Sequence, residues 1–119
     1  MDPLTSPREP SAIDVRSGLG SSTRPVSLVL LRGEHDYGSR ERLEAVLQGL
    51  EGHVLIDLSQ CELIDTSIIN VVLTRHRELR AGGFRLELIV PPTQVHLSRT
   101  FDLLGIRSIV HVHENPPLD

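Results

Sequence analysis

His53-Val54-Leu55-Ile56-Asp57-Leu58-Ser59, then Cys61-Glu62-Leu63-Ile64-Asp65-Thr66-Ser67, then Ile68-Ile69-Asn70-Val71-Val72-Leu73 read in turn as a buried strand, a short connection and a helix. That helix opens on an acid and two hydroxyls, Asp65, Thr66 and Ser67. Backbone N–H groups at a helix start lack partners and the helix dipole is positive there, so a phosphate carried by Thr66 or Ser67 would be electrostatically favoured. The same residue types are the preferred N-caps. Capping and phosphate acceptance therefore both account for the triplet.

Working outward, Val26 to Leu31 is an aliphatic run that ends at Gly33 and predicts a strand buried on both faces. Gly33-Glu34-His35-Asp36 follows as a polar loop. A helix is expected from about Ser39, because Leu43, Val46, Leu47 and Leu50 recur at i, i+3, i+4 and i+7, and Gly52 should end it. The helix at Thr66 should run to about Arg80 and close at Gly82-Gly83. Phe84 to Val90 predicts the next strand, stopped by Pro91-Pro92. Thr93 can cap a third helix carrying Leu97, Phe101 and Leu104, with Gly105 as its stop, and Arg107 to Val112 predicts the last strand. Ala12 to Ser17 reads as a short edge strand. Strands alternating with helices imply right-handed βαβ crossovers, hence an α/β class with a largely parallel sheet and helices mainly on one face. Residues 1–11 are expected to form a flexible leader and residues 114–119 a short tail.

In such sheets the functional loops lie at the carboxyl ends of the strands. Two polar loops qualify, 33–36 and 59–66. If their strands are neighbours, Asp36 and Asp65 approach Thr66, where carboxylates could orient a hydroxyl for attack on a phosphoryl group or help hold a magnesium ion brought with a nucleotide.

The composition removes several other functions. All 12 basic residues are arginine, so there is no P-loop lysine, no Schiff base, and no lysine of the kind a phospho-aspartate receiver uses; Asp57 is a weak receiver candidate. A net charge of −4 and only three aromatic residues, Tyr37, Phe84 and Phe101, argue against nucleic acid as partner. No stretch approaches the roughly 18 apolar residues of a membrane span. Cys61, the single cysteine, permits no internal disulfide and no thiolate zinc site, which suits the cytoplasm. It is expected in the loop after the strand, either as a redox-sensitive thiol or as a small, partly buried side chain. His111 and His113 alternate on a strand beside Glu114 and resemble part of a ligand set, but the other histidines are scattered without metal spacing, so no metal and no cofactor are expected. No G-x-S-x-G or glycine-rich phosphate loop is present. An enzyme is not expected.

Five features in order, Gly33-Glu34-His35-Asp36, Val54-Leu55-Ile56-Asp57-Leu58-Ser59, Ile64-Asp65-Thr66-Ser67, Ala81-Gly82-Gly83 and Phe101-Asp102-Leu103-Leu104-Gly105-Ile106, resemble the STAS domain of bacterial anti-sigma factor antagonists over residues 12–113. The resemblance implies a small mixed sheet with an antiparallel edge strand and helices on one side. It also implies partner switching. An unphosphorylated antagonist binds an anti-sigma factor, itself a serine/threonine kinase of the histidine-kinase ATPase type, and so frees a sigma factor; the kinase phosphorylates the antagonist and a phosphatase restores it.

Carried onto this chain, the resemblance implies Thr66 as the phosphate acceptor, Ser67 as the alternate and Asp65 as the motif aspartate. Asp36 matches the acidic end of the family's G-E-x-D loop. Ile68 stands where relatives usually have glycine, so Asp36, Asp65, Thr66, Ser67 and Ile68 are the expected partner-binding residues. A threonine acceptor is similar to the STAS domains of large stress-signalling scaffolds. Many relatives place a C-terminal helix over the sheet, for which Pro116-Pro117 leaves little room, so some apolar surface should stay uncovered or be taken by a partner. A second reading is a STAS scaffold or ligand-sensing module without a phospho-switch, with Thr66 as a plain N-cap. Uncovered strand edges leave a homodimer open.

Overall fold

Strict alternation governs the strand at the centre of the aliphatic run: Val29 and Leu31 are fully buried, while Leu28 and Leu30 are only half-buried. The expectation of a strand buried on both faces is thereby corrected, because the three described helices share one core on one sheet face. The computed structural model describes residues 11–21 and 23–117; apart from residue 11, the expected leader lies outside them.

Among the described residues five strands and three helices follow one another. They are β1 (Ala12–Gly20), β2 (Pro25–His35), α1 (Arg40–Gln48), β3 (His53–Ile64), α2 (Thr66–Ala81), β4 (Leu86–Ile89), α3 (Val95–Leu104) and β5 (Val112–His113), with single 3-10 turns at Tyr37–Ser39 and Ile106–Ser108. The sheet order is β1-β2-β3-β4-β5. β1 is antiparallel to β2, with Ala12 opposite Arg32. The other pairs are parallel, for instance Val26 with His53, Val54 with Leu86, and Leu88 with Val112. The fold is the expected α/β one, a mixed sheet with one antiparallel edge strand.

Leu43 and Leu47 of α1, Ile68, Ile69, Val72 and Leu79 of α2, and Leu97 and Phe101 of α3 share one core with Val29, Leu31, Val54, Ile56, Leu58, Leu86 and Leu88 of the sheet. Each fully buried aliphatic side chain is worth roughly 1.5–3 kcal/mol. An exposed ion pair such as Arg32–Asp14, 3.2 Å, contributes about 0–1 kcal/mol. Packing therefore fixes the helices on the sheet.

Several boundaries differ from the expected ones. β3 continues through Ser59–Ile64, which polarity had marked as a loop, because β2 continues beside it: Gly33 pairs with Cys61 and His35 with Ile64. Cys61 is accordingly a strand residue with no exposure. α1 ends at Gly49, and Gly52 instead turns the chain into β3 at φ +83°, where a Cβ would meet the Pro25 carbonyl oxygen at 2.5 Å. Arg107–Val112 does not form the expected strand. Ile106 and Val110 both point into the core around a 3-10 turn, and only Val112–His113 pairs with β4.

Thr93 does not cap α3; Gln94 occupies the N-cap position. Its side-chain Nε2 donates to the backbone oxygens of Leu58 (3.1 Å), Ser59 (2.8 Å) and Cys61 (2.9 Å). These carbonyls belong to the part of β3 that has run past its last pair with β4, Asp57 with Ile89, so one amide replaces a missing strand. Gln94→Leu is expected to cost about 1–3 kcal/mol, the penalty for stripping partly buried acceptors. Urea denaturation measures it, and an unchanged midpoint would show that water serves those oxygens equally well.

Candidate functional site

Because β2 and β3 are adjacent and parallel, both deliver their carboxyl ends to the same edge of the sheet. Asp65 leaves β3 in an extended conformation, and its N–H donates to the His35 carbonyl at 3.2 Å, tying the two exits together. One Asp36 carboxylate oxygen accepts from the Gly38 N–H at 2.9 Å and caps the 3-10 turn at Tyr37–Ser39.

Asp65 is the N-cap of α2. One carboxylate oxygen accepts from the backbone N–H groups of Ser67 (2.9 Å) and Ile68 (3.3 Å) and from the Ser67 hydroxyl. The Ser67 hydroxyl, with further bonds from the Ile68, Ser67 and Tyr37 N–H groups, holds the Asp65 carboxyl below its ordinary value, because each stabilises the ionised form. Thr66 is thus not the cap. It occupies the first helical position, exposed, and its hydroxyl has no partner among the described residues.

Geometry separates the two hydroxyls that local sequence could not. Ser67 is half-buried and committed to Asp65, whereas Thr66 faces solvent beside the positive end of a 16-residue helix. Ile68 departs from expectation: it is completely buried. Its branched side chain belongs to the core and offers nothing to a partner.

Two residues that carried no sequence signal for this site flank it. Tyr37, 65% exposed, is covered on one face by the Arg40 guanidinium at 4.5 Å from the ring centroid. Both line a groove of about 500 Å³ between α1 and α2, together with Glu44, Ser67, Asn70 and Thr74.

Beneath the site lies His35, fully buried. Its Nε2 donates to the carbonyls of Arg32 (2.9 Å) and Ala12 (3.2 Å), and its Nδ1 meets the Ser39 hydroxyl at 3.1 Å. Burial pushes its pKa down from 6.5, as the Arg42 charge also does, while the two carbonyl bonds and Asp36 oppose the shift. One neutral ring thereby joins β1, β2 and the turn that precedes α1.

Elsewhere, His111 and His113 lie with ring centroids 4.2 Å apart, and His113 pairs with Glu87 at 3.0 Å. Among the described residues no group of three or more His, Cys, Asp or Glu is placed to hold a metal ion. No helix among them is long and apolar enough to cross a membrane.

A family model described as "STAS domain" matches residues 25–116. The chain belongs to the STAS domain family. Three solved structures share the fold of this STAS domain. The anti-sigma factor antagonist SpoIIAA in its unphosphorylated form is 24% identical, with a TM-score of 0.64 over 85% of this chain and 87% of that one. An anti-sigma factor antagonist from Mycobacterium paratuberculosis is 20% identical, with a TM-score of 0.72 over 94% and 92%. The Bacillus cell fate determinant SpoIIAA in the phosphorylated form is 25% identical, with a TM-score of 0.61 over 85% and 90%.

Proposed function

We propose that this STAS domain is an anti-sigma factor antagonist switched by phosphorylation of Thr66. The observation that carries the reading is the exposed, unengaged Thr66 hydroxyl next to an N-cap aspartate, at the edge where β2 and β3 deliver their loops. Support comes also from the solved relatives described as anti-sigma factor antagonists, one of them in both an unphosphorylated and a phosphorylated form.

In its unmodified state the domain binds an anti-sigma factor in the cytoplasm through Thr66, Ser67, Asp65 and the Asp36 turn, and a sigma factor is released. The anti-sigma factor is a kinase of the histidine-kinase ATPase type, and the domain itself is its substrate rather than an enzyme. Phosphorylation adds about −1.5 to −2 charges at Thr66. Those charges stand beside Asp65 and repel an acidic or apolar partner surface, while the helix dipole compensates them within the domain. The fold persists and the interface fails; a phosphatase reverses the change. This is a local charge switch on a rigid platform.

Incubation with the cognate kinase and ATP is expected to add one phosphate, and Thr66→Ala to abolish it without loss of fold. Mass spectrometry locates the modification. Phosphate found on Ser67 alone would overturn the acceptor assignment, since that hydroxyl must first release Asp65.

A further inference from the structure

Among the described residues β1 is the outer strand of the sheet, with a neighbour on one side only. Its exposed segment, Asp14, Val15 and Arg16, is open along the edge, with unpaired backbone groups available to another strand. Asp14 and Arg16 lie on the sheet face opposite the helices, as their partners Leu30 and Leu28 do, and Val15 lies on the helix face opposite Val29. Charged residues on an edge usually deter pairing. Here the two signs stand at equal distances on either side of Val15, and that symmetry changes the outcome.

We propose that two copies of this chain pair antiparallel through the outer edges of β1, about a two-fold axis at Val15, so that Asp14 of each copy lies opposite Arg16 of the other. In an antiparallel ladder directly opposed residues share a face, and opposite charges so placed attract. A two-fold axis at Val15 produces the Asp14–Arg16 pair twice, as an isologous interface requires. Val15, 39% exposed, meets its own copy and is covered.

Arg16 has no ion-pair partner among the described residues, whereas Asp14 already holds Arg32 at 3.2 Å. Pairing extends that contact into an alternating row, Arg32, Asp14, then Arg16 of the second copy. The register shift between Arg16 and Leu19, with Gly18 at φ +79°, interrupts the regular strand, as a bulge does, and confines the contact to its first half. The dimer is accordingly small and reversible. The charge order also discriminates against strands without this pattern.

Sedimentation equilibrium over a concentration series tests the proposal. The unaltered chain is expected to dimerise. Arg16→Asp sets Asp against Asp14 twice, and Asp14→Arg sets Arg against Arg16 twice; each variant alone should dimerise at least about tenfold more weakly. Mixed in equal amounts, the two variants restore opposite charges at both positions and should form a heterodimer. Circular dichroism checks that both variants remain folded, as expected for exposed positions. A monomeric unaltered chain, an undiminished Arg16→Asp dimer, or a mixture that stays monomeric would each overturn the proposal.

Discussion

Thr66→Asp is expected to weaken capture of the anti-sigma factor at least about a hundredfold, or about 2.8 kcal/mol, while the thermal midpoint stays level or rises slightly. The asymmetry follows from the position. Asp65 does the capping, so the Thr66 hydroxyl can be replaced without unmaking a hydrogen bond among the described residues. A carboxylate at the first helical position faces the positive end of α2, a gain of about 0.3–1 kcal/mol. The same charge confronts whatever docks on that edge. Titration calorimetry with the anti-sigma factor, beside a thermal scan of the variant, separates the two effects. Unchanged affinity would remove the switch and leave the scaffold reading, a STAS module that assembles without phosphorylation.

Acidification is expected to loosen the platform through His35. Above the ordinary imidazole value of 6.5 this ring is neutral in both the folded and the unfolded chain, and its contribution to stability does not vary with pH. Below 6.5 the unfolded chain takes up a proton that the buried ring refuses, so stability falls until the lowered folded-state value is passed. The slope contributed is at most about 1.4 kcal/mol per pH unit. His35→Leu should remove that slope and cost about 2–3 kcal/mol at neutral pH, because the Ala12 and Arg32 carbonyls lose their donor. Urea unfolding at about pH 7.5 and about pH 5.5 reads both quantities. An equal acid slope in the variant would exclude His35 as its source.

The helix at Thr66 and the order of elements were legible because aliphatic periodicity is dense there: Ile68, Ile69 and Val72 all reach the core. The extension of β3 was not. Ser59, Gln60 and Glu62 are polar enough to read as a loop, and what holds them in the sheet is the parallel continuation of β2, a contact between residues far apart in sequence. The last strand failed for the opposite reason. Ile106, Ile109 and Val110 are apolar enough for a strand, yet the chain turns through them and buries two of the three.

At the site, Asp65, Thr66 and Ser67 stood out by residue type, but which hydroxyl is free is decided by the Asp65 rotamer that engages Ser67. Ile68 illustrates the limit of motif matching, since a residue in the right place in the order can still point inward. His35 and Gln94 are the polar side chains on which the site's geometry rests, and nothing in polarity distinguishes them from the chain's other histidines and glutamines. Their roles consist of backbone carbonyls that only the folded chain brings within reach.

The inaccessibility of Cys61 carries a practical corollary. Burial pushes its thiol up to about 11, so alkylating reagents find almost no thiolate at neutral pH, and its S–H donates to the Leu63 carbonyl oxygen at 3.3 Å. Thr66→Cys would then be the sole reactive sulfur on the native surface. A fluorophore or a charged adduct could be installed at the proposed switch position itself, to test for partner capture in real time without first deleting the natural cysteine.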